Sequence, residues 1–88
     1  TPGYTVVLDV SPDAIDDVTA YWESEALPGA QRRSRRSYRI VFPSKDVALA
    51  HVFMWHDRVE VVEPAELVEA IAVRARHAIA RYREKRAG

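Results

Sequence analysis

"RVEVVEPAELVEAIAVRARHAIARYREK", Arg58 to Lys85, changes its period in the middle. Before Pro64, Val59 and Val61 alternate with Glu60, the two-residue period of a strand that hides one face. After it, Leu67, Ile71, Ala75, Ala78 and Tyr82 recur at spacings of four, four, three and four, the period of a helix. Pro64 suits the first position of that helix, where a missing N–H leaves nothing unpaired. Glu66 and Glu69 lie near its start, and Arg81, Arg83, Lys85 and Arg86 near its end, so both ends match the helix dipole. The stretch predicts a strand running directly into the longest helix of the chain.

The residues upstream extend this alternation of strand and helix. "KDVALAHVFMWH", Lys45 to His56, is apolar nearly all round, which predicts a helix covered on more than one side and capped by Ser44. "SYRIVFP" sets Tyr38, Ile40 and Phe42 against Arg39 and Val41, and "YTVVLDV" sets Tyr4, Val6, Leu8 and Val10 against Thr5, Val7 and Asp9. Both read as strands. "SPDAIDDVTAYW" predicts a helix with Ser11 as N-cap, Pro12 first and Asp13 on the dipole. Its stripe is Ile15, Val18 and Trp22, with Ala14 and Tyr21 beside them. Pro28 and Gly29 mark a loop, and Ala30 to Arg36 offers a short extra strand forming a hairpin with the next. The order β-α-(β)-β-α-β-α predicts an α+β fold: a ferredoxin-like split βαβ antiparallel sheet, helices packed on one face, and an extra C-terminal helix. The strands at Tyr4, Tyr38 and Val59 are expected to share that sheet.

Eighty-eight residues, 48% hydrophobic and 30% charged, make one ordinary globular domain over residues 1–88. There is no cysteine, which excludes disulfides and thiolate chemistry. No apolar run reaches the roughly 18 residues of a membrane span, and no signal peptide is seen, so no membrane partner is expected. Because it begins with Thr1, the chain reads as a fragment of something longer. Its zero net charge hides an asymmetry: up to Gln31 there are six acids and no Lys or Arg, and from Arg32 onward thirteen basic residues against seven acids. That is not the profile of a uniformly basic nucleic-acid binder.

The residues for site chemistry are few. His51, His56 and His77 lack the spacing of ligands on one helical face, so no metal is expected. Glu60, Glu63 and Glu66 show nothing that would split their pKa values for acid–base work. Only three glycines are present, with no phosphate loop. Trp22 and Trp55 read as core or interface aromatics. No enzyme and no cofactor is expected. The candidate site is the arginine run: Arg32, Arg33, Arg35 and Arg36, with Arg39 inside the following strand. Arginines at this density bind phosphate or carboxylate groups bidentately, and Tyr38 beside them suits stacking on single-stranded nucleic acid. Two other readings stand beside this one. The run is a solvated hairpin arm, or it meets the acidic surface of Asp13, Asp16, Asp17, Glu23 and Glu25 on a partner.

"DRVEVVEPAELVEAIAVRARHAIARY" resembles the end of the C-terminal extension (WCX) domain of WYL-domain transcriptional regulators. Val59 to Pro64 corresponds to the family's last strand, Glu66 and Leu67 to the start of its last helix, and Tyr82 to the tyrosine near that helix's end. "ALAHVFMWH" is similar to the family's apolar helix, and "YTVVLDVSPDA" to its opening strand and helix. Two departures stand out. Trp55, His56 and Asp57 occupy the place of a usual glycine, and the arginine run replaces a usual turn in the middle hairpin. The resemblance implies a cytoplasmic regulatory and dimerisation module of a bacterial transcription regulator. Its partners would be a second copy, the WYL domain of the same chain, and single-stranded nucleic acid or another anionic effector. The alternative is a free-standing ferredoxin-like domain binding a small molecule or single-stranded nucleic acid.

Overall fold

A computed structural model describes residues 3–32 and 35–87. Four strands and three helices follow one another: β1 (Tyr4–Val10), α1 (Ile15–Thr19) after a 3-10 turn at Pro12–Ala14, β2 (Glu23–Arg32), β3 (Arg35–Phe42), α2 (Lys45–Trp55), β4 (Val59–Glu63) and α3 (Ala65–Ala87). The strands form one sheet in the order β2-β3-β1-β4, every neighbouring pair antiparallel. The three strands expected to share a sheet do so, with β1 between β3 and β4. The domain is mixed α/β.

Alternation along the strands decides which face is hidden. Val6, Leu8 and Val10 of β1 pair with Ile40, Tyr38 and Arg36 of β3, and on this face Val6, Leu8, Val10, Ile40 and Phe42 are wholly buried. Ala14 and Val18, then Ala48, Leu49, Val52 and Trp55 of α2, then Leu67 of α3 close over them. Trp22, Phe42, His51 and Trp55 form a ring cluster with centroids 5.1 to 6.3 Å apart, the spacing at which tilted and edge-on aromatics attract. His51 Nδ1 lies 2.8 Å from the Val47 carbonyl and donates to it, and this half-buried histidine packs among the rings.

The helix starts show what capping does. Ser44 Oγ accepts from Val47 N at 3.2 Å and opens α2 as expected. Ser11 does not cap with its side chain; it donates to Asp13 Oδ1 at 2.5 Å instead. The helix expected through Trp22 stops at Thr19, whose hydroxyl turns back onto the Ile15 carbonyl at 2.8 Å. Short polar and β-branched side chains compete with helical backbone in this way. Tyr21 consequently leaves the stripe and lies 83% exposed, while Trp22 reaches the ring cluster from the connection.

The expected loop at Pro28 and Gly29 is also corrected, because both belong to β2. The extra strand starts seven residues earlier than Ala30, at Glu23, and is ten residues long. Register with β3 is lost between Ala26 and Gln31, so Pro28 sits where no ladder bond is required of it. In β4, Val62 is the extra residue of a second irregularity, since Leu8 pairs with Val61 and Val7 with Glu63. Val59 is buried and Val61 half-buried, as the alternation predicts.

Helix α3 begins on the body and then leaves it. Pro64 precedes the helix rather than opening it, and its carbonyl accepts from Leu67 N and Val68 N at 3.0 and 3.2 Å. Tyr4 Oη donates to Glu66 Oε1 at 2.8 Å, and desolvation together with that carboxylate pushes the phenol up to about 12. Leu67 is buried and Ile71 and Ala75 half-buried, but every described side chain from Arg76 onward is exposed. Beyond Ala75 the stripe continues along a helix that no described residue covers.

At the end of α2, His56 has φ 57° and ψ −131°, backbone that residues with a Cβ rarely adopt. Its N–H closes the helix on the Val52 carbonyl, in the place where the family resemblance points to glycine. Backbone of this kind stores about 1–3 kcal/mol, and glycine's extra chain entropy costs about 0.5–1 kcal/mol. His56→Gly is therefore expected to raise stability by about 1 kcal/mol. Urea unfolding checks this, and an unchanged or lower midpoint contradicts it.

Candidate functional site

A run of arginines in a strand does not stay together. Successive side chains point to opposite faces, so β3 sends Arg35 and Arg39 to one side and Arg36 to the other. Arg33 lies outside the described residues, as does the Arg32 side chain. Arg35 Nη2 donates to the Asp57 carbonyl at 2.8 Å, crossing the sheet end where β1 finishes and β4 starts. Arg39 pairs with Glu25 of β2 at 2.5 Å. Arg36 is exposed on the side of Tyr38 and Val10. The hairpin therefore uses two of its arginines internally, and the three described candidates, Arg35, Arg36 and Arg39, do not share one face.

The same sheet end carries the acids of the first helix. Arg58 Nη2 donates to Asp17 Oδ2 at 2.7 Å and lies 3.4 Å from the Asp13 carbonyl. The hydrogen bond to Asp17, backed by the charges of Asp17, Asp13 and Asp57, holds the guanidinium above its ordinary value. The hydroxyl of Ser11, aided by the charges of Arg58 and Arg35, lowers the Asp13 carboxyl. Acidic first half and basic second half thus meet within one chain here. An exposed ion-pair cluster of this type contributes more to orientation than to stability.

On the sheet face away from the helices, register groups Glu25, Arg39, Val7 and Glu63 in one row and Ser37, Asp9 and Glu60 in the next. Asp9 is buried and accepts from Ser37 Oγ at 2.5 Å. Alternation sets Asp9 on the face opposite the core, and its burial has no signal in the strand's own sequence. With Glu23 level with Val41, this face is acidic among its described side chains.

Between α2, β4 and the root of α3 runs an apolar groove of about 340 Å³, lined by Val52, Phe53, His56, Val59, Glu60, Val61, Val68 and Ile71. Periodicity within any one segment does not single it out; of its lining, Val68 is 42% exposed. Among the described residues no group of three or more His, Asp or Glu side chains is placed to hold a metal ion. No described helix is long and apolar enough to cross a membrane.

A mixed α/β domain with one covered sheet face, a charged hairpin and a projecting terminal helix is the class these features define. Residues 2–79 match the model of the WCX domain family, and the chain belongs to that family. No curated protein and no solved structure matches it.

The cluster at the sheet end has a measurable signature in acid. The lowered Asp13 carboxyl contributes stability above its ordinary value of 3.8, which is lost as pH falls through the lower folded-state value. Ser11→Ala removes the largest cause, so the Asp13 midpoint in an NMR titration is expected to rise toward 3.8. A midpoint that stays where it is in the parent chain assigns the shift to the arginines instead.

Proposed function

We propose that this chain is the C-terminal regulatory module of a bacterial transcription regulator. In the longer protein it self-associates, lies beside a WYL domain and contributes to an effector site. The observation that carries this reading is the WCX family match over residues 2–79. The strand order β2-β3-β1-β4, antiparallel throughout, supports the ferredoxin-like split βαβ arrangement with α3 added at the end. The role is one of binding and coupling rather than catalysis, in the cytoplasm where the DNA is.

Each surface has a place in this reading. The acidic sheet face and the sheet-end cluster suit a basic neighbour in the same chain, where complementary charge fixes orientation more than affinity. The hairpin arginines suit an anion, either a single strand of nucleic acid or a small phosphate- or carboxylate-bearing effector. With Arg39 and Arg35 engaged internally, such a site is completed by groups from the WYL domain. Exposed Met54, Val62, Val68, Ile79 and Tyr82 are the apolar surface that self-association would hide.

In the full-length regulator, changing Arg32, Arg33, Arg35 and Arg36 to alanine is expected to weaken the response to effector while leaving folding intact, since exposed charges contribute little to stability. Titrating effector against parent and quadruple variant at fixed salt tests this. The isolated chain should bind single-stranded DNA poorly and lose that binding steeply as salt rises. An equal effector response in both proteins makes the hairpin a solvated arm.

A further inference from the structure

Helix α3 carries a second row beside the stripe that roots it in the core, sharing Ala75 and Tyr82 with that stripe. Val68, Ala72, Ala75, Ile79, Tyr82 and Arg86 follow at spacings of four, three, four, three and four, the a/d pattern of a helix meant for another helix. Val68, Ile79 and Tyr82 in this row are 42%, 52% and 61% exposed. Nothing in the described part of the chain covers the helix beyond Ala75.

We propose that α3 pairs with α3 of a second copy, antiparallel, about a two-fold axis level with His77. The proposal rests on the self-association read above and specifies its geometry. Two features of the row select this arrangement. Read antiparallel about His77, Ala75 faces Ile79 of the second copy and Ala72 faces Tyr82, so each large side chain meets a small one and the layers interdigitate. In parallel, Tyr82 meets Tyr82, Ile79 meets Ile79 and Arg86 meets Arg86, with no such fit.

Charge makes the same choice. The root of α3 is acidic, with Glu66 and Glu69 and with Glu60 and Glu63 of β4 nearby. Its tip holds Arg81, Arg83, Lys85 and Arg86 against the single acid Glu84. Antiparallel pairing lays each tip on the other root and sets Glu69 beside Arg83 of the second copy along the edge of the row, twice by symmetry. It also brings Tyr82 and Arg86 to the mouth of the groove beside Val68, which Glu60 also lines. The two Arg76 side chains approach each other near the axis, and each already has Glu69 of its own helix at 3.6 Å to offset the repulsion. Parallel pairing stacks like charge on like charge at both ends.

The dimer dissociation constant of the 88-residue chain, from sedimentation equilibrium, is the first readout. Glu69→Arg and Arg83→Glu each turn two attractive pairs into repulsive ones and are expected to weaken association roughly tenfold, while the double variant restores it. The direction is read by disulfide trapping, which is clean because the chain has no cysteine. A mixture of Ala72→Cys and Tyr82→Cys chains is expected to form a mixed disulfide. Tyr82→Cys alone is not, because antiparallel helices hold those two positions ten residues, roughly 15 Å, apart. A dimer that ignores both charge reversals, or that traps Tyr82→Cys with itself, overturns the α3 pairing and leaves the self-associating module standing. A parent chain that stays monomeric at high micromolar concentration overturns the pairing and the self-association together.

Discussion

Strand β1 is the constraint on which the other elements depend. It is hydrogen-bonded on both sides, to β3 along all seven residues and to β4 along four, and three of its side chains are fully buried. A strand so placed must offer one uninterrupted apolar face, because a slip of one residue would turn Val6, Leu8 and Val10 outward and Thr5, Val7 and Asp9 into the core. Burying a side chain of that size is worth about 1.5–3 kcal/mol, several times any single ion pair at the surface. The register of β1 therefore fixes where β3 and β4 lie, and these fix where the three helices can cover the sheet.

The helices show the consequences of covering only one face. Helix α2 keeps Ala48, Leu49, Val52 and Trp55 inside, yet Met54 on its other side remains 60% exposed. His56 turns the chain sharply enough to bring β4 back beside β1, and the local backbone is held by its N–H to Val52. Tyr4 and Glu66 then tie the first strand to the root of the last helix, sixty-two residues apart in sequence. The two ends of the described body are joined at this point, and the rest of α3 continues beyond it.

Much of this was legible in the sequence, and what was not has definite physical causes. The strands at Tyr4, Tyr38 and Val59 were readable because period two is dictated by burial on one side, and the cap at Ser44 because it has a local partner in Val47 N. The first helix was overread: Ser11 and Thr19 have helical uses, and which one each adopts depends on where its hydroxyl finds a partner. The loop at Pro28 and Gly29 was misread because turn residues are also tolerated on an edge strand whose register has broken. Adjacency in the arginine run does not translate into adjacency in space for its described members. Strand geometry separates Arg36 from Arg35 and Arg39, and Asp57 and Glu25 occupy the latter two. Asp9 could not be foreseen as buried, since Ser37 reaches it only through the pairing of two strands twenty-eight residues apart. The apolar groove depends on how α2, β4 and α3 lie together, which no single segment records.

The irregular ladder of β2 has a consequence for the molecule's solubility. An open sheet ends in unpaired N–H and C=O groups, and a long regular edge is a template on which a foreign strand can grow. Here one border is β2, where the register lapses between Ala26 and Gln31 and Pro28 withholds a donor. The other is β4, five residues long, irregular at Val62 and studded with Glu60 and Glu63. Neither border presents more than a few consecutive places for a strand to add. The features that made the hairpin hard to read also keep the sheet from extending into neighbouring molecules.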